Sequence, residues 1–240
     1  MIKLAISGCR GRMGSQILEL AFNNLDFAVV CILENKGHPA INSQVGKLRI
    51  TDNSYQIKEA DVLIEFTNSE ATMEHLKDCL QYRRAMVIGT TGLNTMQIDQ
   101  LKEAAKEIPI VFSPNMSVGV NVFFRLVKAA AEKLGTETAV KIVESHHIHK
   151  KDAPSGTAKQ LASIIKEARQ EEVSDIQSIR EGEIIGEHRV FFDGPFDTIE
   201  LRHTAKSRAI FAQGALVAAE WIADKKPGFY TMQDVLSLEQ

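Results

Sequence analysis

Cysteine is scarce and long apolar runs are missing from this sequence of 240 residues. Cys9, Cys31 and Cys79 form no C-x-x-C pair, and an odd count in a chain with few loops argues against a disulfide framework. No stretch approaches the roughly 18 to 20 apolar residues of a membrane span, and the first apolar run is too short for a signal peptide. We therefore expect a reduced, cytoplasmic protein.

A strong charge of either sign is also missing. The formal net charge is −3 and the pI is about 6.2, so no basic field favours binding to nucleic acid or to an anionic membrane. The hydrophobic fraction of 44% is ordinary for a globular protein. The length suits one large domain or two modest ones. We expect no nucleic-acid or membrane partner.

The first half of the chain alternates short apolar runs with helical patterns. The predicted strands are residues 2–7, 27–33, 61–66, 85–89 and 108–113. Because these runs are apolar throughout, both faces should be buried, which predicts a parallel sheet with crossover helices. The predicted fold class is therefore α/β, with a doubly wound parallel sheet.

The pattern changes after Asn115. The helices predicted beyond it are residues 119–135, 155–170 and 209–223. The predicted strands are residues 139–147, 176–179, 188–193 and 198–203. Successive strands without an intervening helix indicate antiparallel pairing, so we expect a second, α+β domain with a mixed sheet.

The loop after the first strand, "SGCRGRMG", carries Gly8, Gly11 and Gly14 in the spacing G-x-x-G-x-x-G. Glycines allow a tight turn, close approach of the backbone to a pyrophosphate, and close packing of the next helix. The helix N-terminus could then bind the anion, with Arg12 adding charge. Taken alone, the pattern also fits a glycine-rich turn that binds no ligand.

Two further features favour a nucleotide site. Glu34 ends the second strand, 20 residues after the last glycine of the loop, where an acid that binds an adenosine ribose is expected. Its carboxylate favours NAD, although Lys36 could still reach a 2′-phosphate, and Glu34 could also be an ordinary solvated acid. The second feature is "GTTG", residues 89–92, which should line one cleft with Phe66–Thr67 and with "SPNM", residues 113–116.

Titratable and charged side chains are most concentrated in "ESHHIHKKDAPSGTA", residues 144–158. On a strand, Glu144 and His146 would share one face, and Ser155 is a good N-cap for the next helix. Gly156 and Thr157 would then offer backbone N–H groups to an anion. Cations and proton donors crowd the same stretch: His146, His147, His149, Lys150 and Lys151. The pattern suits a small dianionic substrate that must also be protonated.

A metal site is the main alternative for these histidines. His147 and His149 could bind zinc, but the adjacent lysines oppose a divalent cation and no cysteine is near, so we expect no metal. His149 and Lys151 are expected at the surface. The other histidines offer no reason to assign chemistry: His38, His75, His188 and His203.

With its glycine loop and its H-H-x-x-K-x-D-x-P-S-G-T motif, the chain resembles the dihydrodipicolinate reductase family over essentially its whole length. The resemblance implies that His146 is a proton donor or acceptor and that Lys150 is a proton donor. It implies that the substrate carboxylate is bound by His147, Gly156 and Thr157. The residues that it implies for cofactor contact are Gly8, Cys9, Arg10, Gly11, Arg12, Met13, Glu34, Gly89, Thr90, Thr91, Ser113, Pro114, Asn115 and Met116.

The same resemblance implies a Rossmann domain of residues 1–116 plus 209–240. It implies a substrate-binding and oligomerisation domain of residues 117–208 that assembles a homotetramer. The implied activity is hydride transfer from NADH or NADPH to 4-hydroxy-tetrahydrodipicolinate, in lysine and diaminopimelate biosynthesis. Asn35 stands where the family often has Arg, so NADH should bind at least as well as NADPH.

Two other functions fit parts of the pattern. One is a different NAD-dependent dehydrogenase of a small dicarboxylate. The other is a non-catalytic NAD sensor, whose second domain would serve assembly only. A sensor has no need of a second anion pocket, so the run from Glu144 to Ala158 argues against it.

Overall fold

The computed structural model describes residues 1–238 of the chain. The chain divides into two compact units. The first unit contains Met1–Val118 and the chain from Ala209 onward, and the second contains Gly119–Arg208. Residues 239 and 240, the end of the predicted first domain, lie outside the described residues.

The first unit is built on a sheet of eight strands. In chain order the strands are β1 Ile2–Ser7, β2 Phe27–Leu33, β3 Gln44–Val45, β4 Leu48–Thr51, β5 Val62–Glu65, β6 Ala85–Ile88, β7 Pro109–Phe112 and, near the end of the chain, β12 Gly228–Tyr230. They lie in the order β12-β7-β6-β5-β1-β2-β4-β3. Every pairing is parallel except that of β3 with β4. The prediction of a doubly wound parallel sheet is confirmed.

Helices cover both faces of this sheet, which explains why its strands are apolar throughout. The helices of the first unit are α1 Arg12–Phe22, α2 Ser69–Tyr82, α3 Thr95–Ala104, α6 Ala209–Ile222 and α7 Met232–Val235, with a 3₁₀ helix at Ser54–Glu59. One core lies between the sheet and α1 with α6, and a second lies beneath α2 and α3. The chain order reverses between β1 and β5, and such a switch point creates a crevice at the carboxyl ends of the strands.

The second unit is a mixed sheet packed against two helices. Its elements are α4 Val118–Lys133, β8 Ala139–His146, α5 Gly156–Arg169, β9 Asp175–Arg180, β10 Glu187–Asp193 and β11 Thr198–Thr204. The strand order is β11-β10-β8-β9. β8 and β9 are parallel and are joined by α5, whereas β10 is antiparallel to both of its neighbours. This confirms the predicted mixed sheet.

The elements that the sequence patterns missed are all short. They are β3, β4, β12, the 3₁₀ helix and α7, which have two to six residues each. Runs of this length hold too few residues to show a period of 2 or 3.6. Within residues 1–238, no helix has both the length and the apolarity to cross a bilayer.

Candidate active site

The glycine loop follows β1 directly and requires glycine at two positions. Gly8 has φ +72°, and a Cβ there would lie 2.6 Å from the carbonyl oxygen of Phe66. A Cβ on Gly14, inside α1, would lie 2.1 Å from the carbonyl oxygen of Gly8. The loop therefore turns tightly and α1 packs closely on the strand end, as a pyrophosphate loop requires.

The N-terminus of α1 lies at the surface beside this loop. Gly11 is the N-cap residue and has no side chain to cap the first-turn N–H groups. Arg10, Gly11 and Arg12 are exposed, and Met13 is half-buried. A helix N-terminus flanked by two guanidinium groups attracts an anion.

Glu34 is held against the glycine loop. Its Oε2 accepts a hydrogen bond of 2.9 Å from the Arg10 N–H, and its Oε1 accepts one of 2.9 Å from the Asn35 N–H. The thiol of Cys9 lies 3.8 Å from the same carboxylate. Burial, and then the charge of Glu34, raises the pKa of the Cys9 thiol to about 12. Cys9 is therefore a neutral packing residue of the loop, and Glu34 is a fixed carboxylate.

The other predicted cofactor residues follow neighbouring parallel strands. Gly89, Thr90 and Thr91 come after β6, and residues 113–116 come after β7. Because the strands are parallel, these loops lie at the same edge of the sheet as the glycine loop. The structure thus brings the predicted cofactor residues to the edge of the sheet that contains the switch point.

Close contacts fix these loops. A Cβ on Gly89 would lie 2.2 Å from the ring of Phe66. Ser113 Oγ donates to the Asn115 carbonyl at 2.8 Å, and Pro114 between them is exposed. The Met116 side chain is only 1% exposed and belongs to the core of the first unit.

In the second unit, a buried carboxylate organises the histidine-rich stretch. Glu144 and His146 share one face of β8, and His146 Nδ1 lies 2.5 Å from Glu144 Oε2. Arg180 donates to both oxygens of Glu144, at 3.0 and 2.7 Å. The Ser155 N–H donates to Glu144 Oε1 at 3.2 Å. Glu144 is fully buried, and these donors compensate for the loss of its hydration.

In the pair of Glu144 and His146, the carboxylate is charged and the imidazole is neutral. Burial alone would raise the pKa of Glu144, but the hydrogen bonds from Arg180, Ser178 and His146 outweigh it and lower that pKa. Burial lowers the pKa of His146, and the nearby cations Lys150 and Arg180 oppose the contribution of Glu144 that would raise it. At neutral pH His146 is therefore uncharged, with the proton on Nδ1 facing Glu144 and the lone pair on Nε2.

The rest of the stretch forms a compact turn after β8. Lys150 Nζ pairs with Asp152 Oδ1 at 2.8 Å, and the Lys150 side chain is 24% exposed. His147 Nε2 lies 3.5 Å from a guanidinium nitrogen of Arg208. His149 and Lys151 are exposed. The two lysines of the turn therefore differ in burial: Lys150 is half-buried and Lys151 is exposed.

The N-terminus of α5 has the predicted cap. Ser155 Oγ accepts a hydrogen bond of 3.2 Å from the Ala158 N–H. The helix begins at Gly156, which is exposed, and Thr157 is half-buried. Both residues therefore lie in the first turn of a capped helix, next to the buried Glu144.

Two side chains of this site were missed by sequence reasoning. Arg180 is the guanidinium that pairs with Glu144, and His188 packs edge-on against His146 with ring centroids 5.2 Å apart. Burial lowers the pKa of His188 to about 3, so it is a neutral packing partner. No local sequence pattern identifies them, because the sheet register is what pairs Arg180 with His146 and His188 with Glu144.

Comparisons with known proteins match this architecture. Residues 2–116 match the family model for the N-terminus of dihydrodipicolinate reductase, and residues 119–236 match the model for its C-terminus. The chain is 38% identical to the 4-hydroxy-tetrahydrodipicolinate reductase of Syntrophus aciditrophicus, with 98% of each chain covered. It is 41% identical to that of Anaeromyxobacter dehalogenans, covering 99% of this chain and 98% of the other.

A solved structure matches as well. The dipicolinate-bound dihydrodipicolinate reductase from Paenisporosarcina sp. TG-14 has a TM-score of 0.85 and 26% identity, with 98% of each chain covered. The fold and these matches define an oxidoreductase dependent on a nicotinamide dinucleotide. The chain belongs to the dihydrodipicolinate reductase family.

Proposed function

We propose that this protein reduces 4-hydroxy-tetrahydrodipicolinate with NADH or NADPH, giving tetrahydrodipicolinate for lysine and diaminopimelate biosynthesis. The reaction takes up one hydride and one proton and releases the 4-hydroxyl group as water. The observation that carries the proposal is the buried pair of Glu144 and His146 beside the capped N-terminus of α5. It is supported by relatives named for this reductase activity.

We assign the first unit to the cofactor. The glycine loop fits a pyrophosphate, because Gly8 and Gly14 allow the tight turn and the close packing that place the N-terminus of α1 beside the loop. Glu34, anchored on the Arg10 and Asn35 N–H groups, would accept from the ribose hydroxyls. The bound nicotinamide supplies the hydride.

We assign the second unit to the substrate, whose two carboxylates need cations and donors. Gly156 and Thr157 would hold one carboxylate at the N-terminus of α5. His147 lies beside Arg208 and would bind with it as a donor group. Lys150 adds positive charge to this site, and that charge lowers the pKa of the His146 imidazole.

For proton transfer, the geometry favours different roles for His146 and Lys150. His146 keeps its Nδ1 proton toward Glu144, so its Nε2 is an acceptor near neutral pH. A Cβ on Gly186 would lie 3.2 Å from His146 Nε2, so a glycine at this position leaves space beside Nε2. Lys150 is an ammonium with its own counterion, Asp152. We therefore assign Lys150 as the donor of the one proton that the reaction takes up, which it would regain from water, and His146 as the neutral imidazole whose Nε2 accepts a hydrogen bond from the substrate.

Assembly and location complete the proposal. The second unit would form a homotetramer in the cytoplasm, as the family resemblance implies. The outer strands β9 and β11 expose Ile179 and Ile199, which are apolar groups suited to burial between subunits. Light scattering coupled to gel filtration measures the mass of the assembly directly, and a monomer would contradict this part of the proposal.

The decisive experiment measures loss of NADH absorbance. The substrate is generated during the assay, by the preceding synthase in the same cuvette. We expect oxidation of NADH that depends on both enzymes and stops when either is omitted. Oxidation with another small keto or imino dicarboxylate, but none with the synthase product, would replace the proposed function by that of a different dehydrogenase.

A further inference from the structure

A second buried pair of glutamate and histidine lies in the first unit. Glu65, the last residue of β5, is fully buried, and His75 on α2 has a side chain that is 14% exposed. His75 Nδ1 lies 2.7 Å from Glu65 Oε2. The Thr67 hydroxyl donates to the other oxygen, Oε1. Both carboxylate oxygens of Glu65 are thus engaged.

The surroundings of His75 favour its charged form. Burial alone would lower the pKa of His75, but the hydrogen bond and charge of Glu65, with the charges of Asp78 and Glu74, outweigh burial and raise it. From β1 the Ser7 hydroxyl approaches Nδ1 at 3.4 Å. The nearby Cys79 has a pKa well above its usual value because of burial, so that thiol stays neutral.

This pair is linked directly to the loops assigned to the cofactor. Thr67, whose hydroxyl Glu65 holds, donates its N–H to Thr90 Oγ1 at 3.1 Å. The residue before it, Phe66, presents its carbonyl oxygen to Gly8 and its ring to Gly89. The Phe66–Thr67 turn therefore packs between the glycine loop and the loop after β6, and Glu65 holds it through the Thr67 hydroxyl.

We propose that Glu65 and His75 are positioning residues for the cofactor, which hold the Phe66–Thr67 turn in the shape that the nucleotide requires. Neither residue is a catalytic group, because they act through Thr67 and Phe66. A buried carboxylate that loses its donor must recover hydration or move. Movement of Glu65 would release the Thr67 hydroxyl and shift both neighbouring loops. This inference rests on the proposed cofactor site.

The test compares variants of His75 by calorimetric titration with NADH. His75→Leu should weaken NADH binding about tenfold, the order of one lost hydrogen bond to a charged group. His75→Asn keeps a donor near the position of Nδ1 and should recover most of the affinity. Lys77→Gln, an exposed change on the same helix, is the matched control and should bind NADH like the wild type. Binding of pyridine-2,6-dicarboxylate should stay normal in all three.

The pH profile separates positioning from simple loss of structure. Because the pKa of His75 is raised, its charged pairing with Glu65 is complete at low pH and is lost as the pH rises through that pKa. NADH affinity of the wild type should fall over the same interval, and the His75→Asn profile should be flat there. This comparison needs only the wild type and the variant that keeps a donor.

The outcomes are distinct. If the wild type itself binds no NADH, the proposed function fails and this inference fails with it. If the wild type binds NADH and His75→Leu binds equally well, the role of the pair is refuted while the proposed function stands. Equal pH profiles for the wild type and His75→Asn would also refute it.

Discussion

Each of the two units buries a glutamate against a histidine, and the two histidines are shifted in opposite directions. In the first unit the pKa of His75 is raised, because Glu65 outweighs the effect of burial. In the second unit the pKa of His146 is lowered, because burial prevails over Glu144. The distances between ring nitrogen and carboxylate are similar, 2.7 and 2.5 Å. Proximity alone therefore does not decide the charge of the imidazole.

Part of the difference comes from the cations Lys150 and Arg180 beside the second pair, of which Arg180 is the third partner of Glu144 and His146. Arg180 donates to both oxygens of Glu144 and adds its own positive charge near His146. The other charges that act on His75 are those of two acids, Asp78 and Glu74. A carboxylate already paired with a guanidinium stabilises an imidazolium less. The first pair is therefore suited to holding a loop, and the second to presenting a lone pair at Nε2.

The largest effects on activity are expected from variants near the second pair, at His146 and Lys150. His146→Gln and Lys150→Gln should each lower kcat by about 10² to 10⁴-fold, the usual contribution of a positioned acid or base. His149→Gln and Lys151→Gln, both exposed, should stay within about tenfold of the wild type. Steady-state kinetics on the four variants, with circular dichroism for folding, provides the measurement.

The pattern among these variants also tests the strand register. Lys150→Gln should raise KM as well, because in the proposed mechanism the ammonium attracts a carboxylate in addition to donating a proton. A large loss with His149→Gln or Lys151→Gln would mean that the roles given to residues 144–151 are assigned to the wrong side chains.

Removing the third partner should make the second pair resemble the first. Arg180→Met leaves Glu144 with His146 and removes a cation, so the pKa of His146 should rise. Because we propose that His146 acts in its neutral form, we expect activity to fall as the pH is lowered through the raised pKa. We expect kcat/KM at pH 6 relative to pH 8 to drop about tenfold more in the variant than in the wild type. Arg189→Met, on the neighbouring β10, is the control, and an unchanged profile in Arg180→Met would contradict the role of Arg180.

The sequence predicted the parts of this comparison that depend on local pattern. Apolar runs identified the buried parallel strands, and alternation placed Glu144 and His146 on one face of β8. Arg180 and His188 reach Glu144 and His146 only through sheet pairing with β9 and β10, which no local pattern encodes. No sequence pattern assigns chemistry to His75, because its partner Glu65 lies ten residues earlier in the chain and only the turn between β5 and α2 brings the two together.

A smaller effect is expected at the anion pocket that we propose for the second unit. Thr157→Val removes one hydroxyl, and a hydrogen bond to a charged group contributes about 1.5 to 3 kcal/mol. Binding of pyridine-2,6-dicarboxylate should weaken at least tenfold, while NADH titrations stay unchanged. Equal weakening of both ligands would show damage to the fold instead of loss of a substrate contact.

The smallest effect concerns cofactor choice in the first unit. Glu34 is fixed by the Arg10 and Asn35 N–H groups and should accept from ribose hydroxyls, whereas a 2′-phosphate would meet its charge. Asn35 offers no guanidinium, but Lys36 is exposed beside it and can offset part of this repulsion. We expect calorimetry to give an NADH affinity equal to or above that for NADPH.

Lys36→Gln sharpens this last test. An exposed charge contributes about 0.2 to 1 kcal/mol, so the variant should lose no more than about fivefold in NADPH affinity and nothing in NADH affinity. Since His38 lies close in sequence and accepts from the Ala40 N–H, His38→Gln serves as the neighbouring control. A strong preference of the wild type for NADPH that disappears in Lys36→Gln would show that Lys36, rather than Glu34, controls recognition of the 2′ position.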